Sequence, residues 1–289
     1  MPGYTICRPR YSTIPMTKLK LLSNFIGRQV TGRLRVLPDF IIIGAQRCGT
    51  TSLYEYLLGH PDIRGAARKE VHFYDVHFRN GVNWYRSFFP LRSEKARHGG
   101  AGFVAGEASP YYLFHPHVPR RIQQVTPQAR FIVILRNPVD RAYSQFHFNT
   151  RRGKEGRSFE EALAYEEQVA AAEIAKLAAN EHYRSRIHRD ALYLHRGIYA
   201  DQLQNWFGCF PREQFLILKT EDLEAQPQET LDRVFAFLGV AAQKLDVEAR
   251  RYNQGSYHQL DPVLRARLED FFRPHNQRLY DDLGIDFGW

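Results

Sequence analysis

The stretch FIIIGAQRCGTTSLYEYLL, residues 40–58, decides the fold of this 289-residue chain. Its first four residues are apolar without a break, which is typical of a strand that is buried on both faces of a parallel sheet. A turn with two glycines follows at residues 44–51, and residues 52–58 continue with a helical pattern. A strand, a turn and a helix in this order predict one unit of an α/β fold.

Two later segments repeat this order. FIVIL at 131–135 leads into Asn137 and Pro138, which suit the N-cap and the first position of a helix. FLIL at 215–218 leads to a further helix predicted over residues 227–238. The repetition predicts an α/β domain with a P-loop-like parallel sheet flanked by helices.

Three further elements complete the predicted fold. Residues 102–105 are a candidate fourth strand. Ser158 and Glu161 form a capping-box pattern that opens a helical insertion running to about Asn180. An amphipathic C-terminal helix begins at Pro262, and the length of the chain fits one large domain.

Composition and charge narrow the class of protein. The net charge of +9 indicates an anionic partner, which includes nucleotides, acidic polysaccharides, membrane surfaces and nucleic acids. Three scattered cysteines are too few for a disulfide framework or a zinc site, so we expect a reducing, cytoplasmic location. No apolar run reaches the roughly 18 residues that a membrane-spanning helix needs.

The first 38 residues carry positive charge and no acidic residue. Their basic residues are Arg8, Arg10, Lys18, Lys20, Arg28, Arg33 and Arg35. A weakly apolar patch at 19–26 allows peripheral contact with an anionic membrane surface. A solvated terminus is the favoured interpretation.

The turn after the first strand has the features of a phosphate cradle. Gly44 and Gly49 let successive backbone N–H groups converge, and the helix N-terminus behind them adds partial positive charge. The nucleoside-triphosphate version of this turn has a lysine where this chain has Thr50. A cation appears instead at Arg47, which suits a shorter anion such as a 5′-phosphosulfate and speaks against a kinase.

Four motifs taken together resemble one enzyme family. Residues 38–63 (PDFIIIGAQRCGTTSLYEYLLGHPDI) are similar to the 5′-phosphosulfate loop of sulfotransferases that use 3′-phosphoadenosine 5′-phosphosulfate (PAPS), closest to the heparan-sulfate N- and O-sulfotransferases and their bacterial relatives. Three motifs follow in the family's order: KEVHFYD at 69–75, VILRNPVDRAYSQF at 133–146 and FFRPHNQRLYDDLGIDFGW at 271–289. The resemblance implies a sulfotransferase domain at 38–289 behind a basic extension at 1–37.

The resemblance also implies a site for PAPS and for its product, 3′-phosphoadenosine 5′-phosphate (PAP). The residues expected around the 5′ end are Arg47, Cys48, Gly49, Thr50, Thr51 and Ser52. Arg136 and Ser144 match the pair that holds the 3′-phosphate, a task suited to a guanidinium fork and a hydroxyl. A later loop is expected to touch the nucleotide through its backbone and polar groups at Gly255, Ser256 and Tyr257.

The KEVHFYD motif carries the residues expected to act on the acceptor. In the family, the glutamate that matches Glu70 removes the acceptor's proton, and the residues that match His72 and Asp75 bind substrate and tune that base. An extended backbone would place Glu70 and His72 on one side, with Lys69 favouring an ionised carboxylate and attracting an anionic acceptor. Arg47 and His72 are candidates to stabilise charge on the leaving group. The alternative interpretation is a solvated run of charges before a strand.

Departures from the family leave the acceptor open. Arg47 replaces the family's lysine, and Ala108 replaces a second lysine of the animal heparan-sulfate enzymes. We expect an acceptor with a hydroxyl or an amine, an anionic glycan or a glycolipid being the candidates, and a chemistry that requires no metal. Two rival interpretations are a P-loop kinase that binds magnesium–ATP and a basic nucleic-acid-binding protein. Nucleic acid is not the expected partner, because the arginines are dispersed and no recognition motif appears.

Overall fold

The apolar runs form the centre of a five-stranded sheet in which every pairing is parallel. The computed structural model describes residues 27–99, 102–245, 258–284 and 286–289. The strands are β1 (Phe40–Gly44), β2 (Ile63–Gly65), β3 (Val104–Ala108), β4 (Arg130–Leu135) and β5 (Phe215–Lys219). Their order across the sheet is β2-β3-β1-β4-β5, which confirms the predicted fold class.

The strand order creates a crevice at the carboxyl edge of the sheet. β1 lies at the centre, and all five of its residues are buried. The chain leaves β1 toward β2 at one side of the sheet and leaves β4 toward β5 at the other. Ligands of open α/β sheets bind where neighbouring strands send their connections in opposite directions. The carboxyl ends of β1 and β4 are therefore the place to look for a site.

Helices follow the strands and enclose two hydrophobic cores. The α-helices whose bounds both lie within the described residues are α1 (Thr50–Leu57), α2 (Val82–Arg86), α3 (Arg92–Arg97), α4 (Val118–Val125), α5 (Pro138–Arg151), α6 (Phe159–Ala179), α7 (Tyr199–Phe207), α8 (Thr220–Ala225), α9 (Pro227–Leu238) and α10 (Pro262–Leu283). The larger core joins the sheet to α1, α4, α7 and α9. The smaller core lies between α5, α6 and α10.

Local sequence signals fix several helix ends as predicted. Asn137 Oδ1 accepts hydrogen bonds from the first-turn amides of α5. Ser158 and Glu161 form the reciprocal capping box of α6. Gly239 ends α9 with a left-handed φ of 73°. Each of these signals acts within a few residues, which is why the sequence reveals it.

The strands differ from the sequence-based prediction in two places. The candidate strand at 102–105 is β3, which begins at Val104 and continues to Ala108. β2 was missed because it has three residues, of which only Ile63 is buried. Short edge strands offer little hydrophobic periodicity, so the sequence gives no signal for them.

The last residues of the predicted basic extension pack on the domain. Arg28 Nε donates to the carbonyl oxygen of Ser87 at 2.6 Å, and Arg35 Nη1 donates to that of Phe89 at 2.8 Å. Residues 1–26 lie outside the described residues, so the membrane contact suggested for them stays a prediction. Within the described residues, no helix has both the length and the apolar character to cross a bilayer.

Candidate active site

The turn between β1 and α1 needs its two glycines for different reasons. A Cβ at Gly44 would lie 2.5 Å from the Cβ of Leu113, so no side chain fits there. Gly49 caps α1 with a φ of 86°, a left-handed conformation that favours glycine. The N–H groups of residues 50–52 open α1 and have no acceptor within the helix. The turn therefore has the geometry of a phosphate cradle.

Arg47 joins this turn to the predicted 3′-phosphate pair. Its Nε donates to Ser144 Oγ at 3.1 Å, and its guanidinium lies 4.7 Å from the ring centroid of Phe148. Ser144 is buried on α5, and Arg136 follows the last residue of β4. The structure thus brings residues predicted for the two ends of the nucleotide to one crevice.

Cys48 anchors the turn on the sheet. Its side chain is fully buried, and burial raises the pKa of its thiol to about 11. Its carbonyl oxygen accepts a hydrogen bond of 2.8 Å from Thr220 Oγ1, a hydroxyl that also lies 2.8 Å from the carbonyl oxygen of Leu135. A neutral, buried thiol makes Cys48 a packing residue that shapes the cradle through its backbone.

The backbone of the KEVHFYD motif is not extended, so the condition under which Glu70 and His72 were expected on one side is not met. Glu70 and His72 have φ values of 58° and 55°, both left-handed, and Val71 between them is fully buried. The side chains of Glu70 and His72 nevertheless lie close together. His72 Nε2 lies 3.5 Å from Glu70 Oε2, and His72 Nδ1 lies 2.7 Å from Asp75 Oδ2. The motif forms a line of carboxylate, imidazole and carboxylate.

The hydrogen bonds of this line shift two pKa values in opposite directions. The hydrogen bond from His72 is the largest influence on Glu70 and lowers its pKa to about 2, against burial and with help from Lys69, whose Nζ lies 3.1 Å away. Burial alone would lower the pKa of His72, but its bonds to Asp75 and Glu70 prevail and raise it to about 10. At neutral pH the pair is a carboxylate and an imidazolium. The Glu70 side chain is 44% exposed, so an acceptor can reach it.

The sequence did not reveal Arg196, a buried cation next to the phosphate turn. Its Nη1 donates to the side-chain oxygen of Gln46 within the turn. Its Nη2 donates to the carbonyl oxygens of His188 and Arg189, at 3.0 Å and 2.6 Å. Burial lowers the pKa of its guanidinium to about 10, which still leaves a cation at neutral pH. Arg196 and Gln46 are 150 residues apart in the sequence, so no local sequence pattern predicts their contact.

Two further predictions concern residues or groups beyond this cluster. Gly255, Ser256 and Tyr257 lie outside the described residues, so their role stays a prediction. In the part of the chain that the structure describes, no group of three or more His, Cys, Asp or Glu side chains is placed to hold a metal ion.

Comparison with known proteins decides the family. A family model described as "Sulfotransferase domain" matches residues 37–263, which include the phosphate turn, the KEVHFYD motif and both 3′-phosphate residues. The chain belongs to the sulfotransferase family. It is a PAPS-dependent sulfotransferase, as predicted. Its main activity is therefore neither that of a P-loop kinase nor that of a nucleic-acid-binding protein. The cytoplasmic location stays a prediction.

Named sulfotransferases resemble the chain over most of its length. The human heparan sulfate glucosamine 3-O-sulfotransferase 6 is 31% identical over 89% of this chain and 75% of its own. The membrane-associated sulfotransferase kil1 of Dictyostelium discoideum is 26% identical over 90% of this chain and 68% of its own. A crystal structure of a sulfotransferase from Alicyclobacillus acidocaldarius superposes with a TM-score of 0.66, at 31% identity, over 87% of this chain and 98% of its own.

Proposed function

We propose that this sulfotransferase moves a sulfuryl group from PAPS to a hydroxyl of a glycan, with Glu70 as the general base. The observation that carries the proposal is the placement of the Glu70–His72–Asp75 line. The amide of Glu70 donates to the carbonyl oxygen of Ala108, the last residue of β3, at 3.1 Å. The base therefore lies at the same edge of the sheet as the phosphate turn that follows β1.

The proposed reaction is an in-line displacement at sulfur. The acceptor oxygen attacks the sulfur atom while Glu70 takes the hydroxyl proton. The bond between sulfur and the 5′-phosphate oxygen breaks, and its electron pair leaves with PAP. The His72 imidazolium and the Arg47 guanidinium stabilise the negative charge on the leaving group. Arg136 and Ser144 hold the 3′-phosphate and so fix the direction of the leaving bond.

Two observations support an anionic glycan as the acceptor. The names of several relatives specify heparan sulfate glucosamine or carbohydrate acceptors. In this chain, Arg68 and Lys69 stand directly before the base and add to a net charge of +9. A hydroxyl is favoured over an amine because the relatives named as 3-O-sulfotransferases transfer the group to an oxygen. A glycolipid is the second candidate, since its headgroup offers the same hydroxyls.

The substitution Glu70→Gln tests the assignment of the base. We expect kcat for transfer from PAPS to a heparan-type oligosaccharide to fall by about 10²–10⁴-fold. The Kd for PAP should stay within about 2-fold in calorimetry, because Glu70 binds no part of the nucleotide in this proposal. The control is Glu213→Gln, an exposed glutamate that precedes β5 and so lies at the opposite edge of the sheet. Wild-type turnover in Glu70→Gln would refute the assignment.

A further inference from the structure

A second buried carboxylate, Glu107, lies beneath the catalytic segment. It is on β3 and is fully buried. Three hydroxyl groups donate to it: Tyr85 at 2.6 Å, Ser109 at 2.8 Å and Tyr112 at 3.2 Å. No ion pair to Glu107 is found among the described residues, so hydroxyl groups alone satisfy the carboxylate. The proposed reaction assigns it no role.

Two of these hydroxyls also hold the backbone of the catalytic segment. Ser109 Oγ accepts the amide of His72 at 3.4 Å. The hydroxyl of Tyr112 accepts the next two amides, those of Phe73 at 2.8 Å and Tyr74 at 3.3 Å. A hydroxyl has one proton and two lone pairs. Ser109 and Tyr112 both donate their hydroxyl protons to the Glu107 carboxylate. The lone pairs of these two hydroxyls are therefore free to accept the amides of residues 72–74.

The catalytic segment needs such anchors because its backbone is in an unfavourable conformation. Glu70 and His72 are both left-handed, which is costly for residues other than glycine and persists only where the surroundings impose it. The anchored amides belong to His72 and the two residues after it, and each donates to the hydroxyl of Ser109 or Tyr112. The orientation of the Ser109 and Tyr112 hydroxyl protons thus helps to determine the positions of Glu70 and His72.

We propose that Glu107 is a positioning residue of the sulfuryl transfer: through Ser109 and Tyr112 it holds Glu70 and His72 in their working geometry. The proposal rests on the proposed function, in which Glu70 is the base. Glu107 touches neither nucleotide nor acceptor. Glu107 affects the positions of Glu70 and His72, so its loss should change kcat more than the affinity for the nucleotide.

The substitution Glu107→Gln breaks this arrangement with little change in shape. An amide offers one oxygen and one NH2 group. If the oxygen keeps Tyr85 and Tyr112, the NH2 group faces Ser109 Oγ, which then accepts at that position instead of donating. The Ser109 proton loses its acceptor and competes with the N–H of His72 for the two remaining positions on Oγ. We expect kcat to fall by at least about 10-fold, with the Kd for PAP and the KM for the acceptor within about 2-fold.

Tyr85→Phe is the matched control. It removes the shortest hydrogen bond to Glu107 but keeps the ring that stacks on Phe73 at 4.4 Å, and in the described residues the Tyr85 hydroxyl receives none of the amides at 72–74. Both variants lose a buried hydrogen bond, so both should melt at a lower temperature. Only Glu107→Gln should lose kcat, whereas Tyr85→Phe should keep it within about 2-fold. A purely structural role predicts the same kcat loss in both.

The outcomes separate this proposal from the assignment of the base. Wild-type kcat in Glu107→Gln, or an equal loss in Tyr85→Phe, overturns the positioning role even when Glu70→Gln is inactive. Activity in Glu70→Gln overturns the base whatever Glu107→Gln does. If Glu107→Gln does not fold, Tyr112→Phe decides: it keeps the ring and the carboxylate, and a kcat equal to that of Tyr85→Phe contradicts the proposal.

Discussion

At the scale of single residues, hydrogen bonds within the Glu70–His72–Asp75 line lower the pKa of the base and raise that of its partner. His72 holds Glu70 ionised, and the two carboxylates Glu70 and Asp75 hold His72 protonated. Each group therefore enters the reaction in the state that its role requires: the carboxylate can accept a proton, and the cation can stabilise a leaving oxyanion.

The raised pKa of His72 predicts a pH dependence of stability. Its contribution to folding is fully present below the usual histidine pKa and is lost as pH rises through about 10. We expect the free energy of unfolding of the wild type to fall between pH 6.5 and 10 by on the order of 2 kcal/mol more than that of His72→Asn, after allowance for solvent screening. Urea denaturation at a series of pH values measures this difference.

The control for this prediction is His182→Asn. His182 is an exposed histidine with a carboxylate, Glu181, at 3.7 Å, so it offers a pair at the surface without the burial of His72. Its substitution should leave the slope with pH as in the wild type. Parallel curves for His72→Asn and the wild type would show that the imidazole gains nothing from its two carboxylates.

The residues of the site were predictable from the sequence, but their backbone conformation was not. The KEVHFYD motif places Glu70, His72 and Asp75 together by proximity along the chain. Their left-handed turn depends on acceptors at Ser109 and Tyr112, which lie 37 and 39 residues further on. A local pattern of charges and apolar residues holds no information about such distant hydroxyls, so it could not show that the backbone departs from an extended conformation.

At the scale of elements, the helical insertion stabilises the segment that contacts the phosphate turn. The buried carboxylate of Glu166 on α6 accepts the amides of residues 193–195, at distances between 2.6 and 3.0 Å, and the Nδ1–H of His195 at 2.8 Å. The next residue is Arg196, which holds Gln46 in the turn. One carboxylate therefore connects the insertion to the site.

The substitution Glu166→Gln should destabilise the protein by about 2–4 kcal/mol, because an amide NH2 group would face buried backbone donors. Glu167→Gln, at an exposed position of the same helix, should change the free energy of unfolding by less than about 0.5 kcal/mol. Urea denaturation monitored by circular dichroism compares the two. Equal, small effects would mean that the insertion is held by its apolar contacts alone.

The elements were predictable where their signals are local and not where contacts across the fold decide. The capping box at Ser158 and the Asn137 cap were confirmed. Glu166 carried no visible signal, since an Ala-rich helix with several glutamates reads as solvent-exposed. Its role appears only when the fold brings residues 193–195 beside it.

At the scale of the whole molecule, three parallel strands place the residues of the site at the carboxyl edge of the sheet. β1 ends at the phosphate turn, β3 ends beside Glu70, and β4 ends at Arg136. The register pairs Ile42 of β1 with Ala108 of β3 and with Ile132 of β4, so the three ends are level to within a few residues. The sheet thus fixes the distance between the nucleotide and the base.

The most direct test of this account is a crystal structure of the protein in complex with PAP. The account predicts the 5′-phosphate within hydrogen-bonding distance of the amides of residues 50–52 and the 3′-phosphate on Arg136 and Ser144, with Glu70 facing the open side of the 5′-phosphate. An unoccupied turn at residues 44–51 with the adenosine bound elsewhere would contradict it.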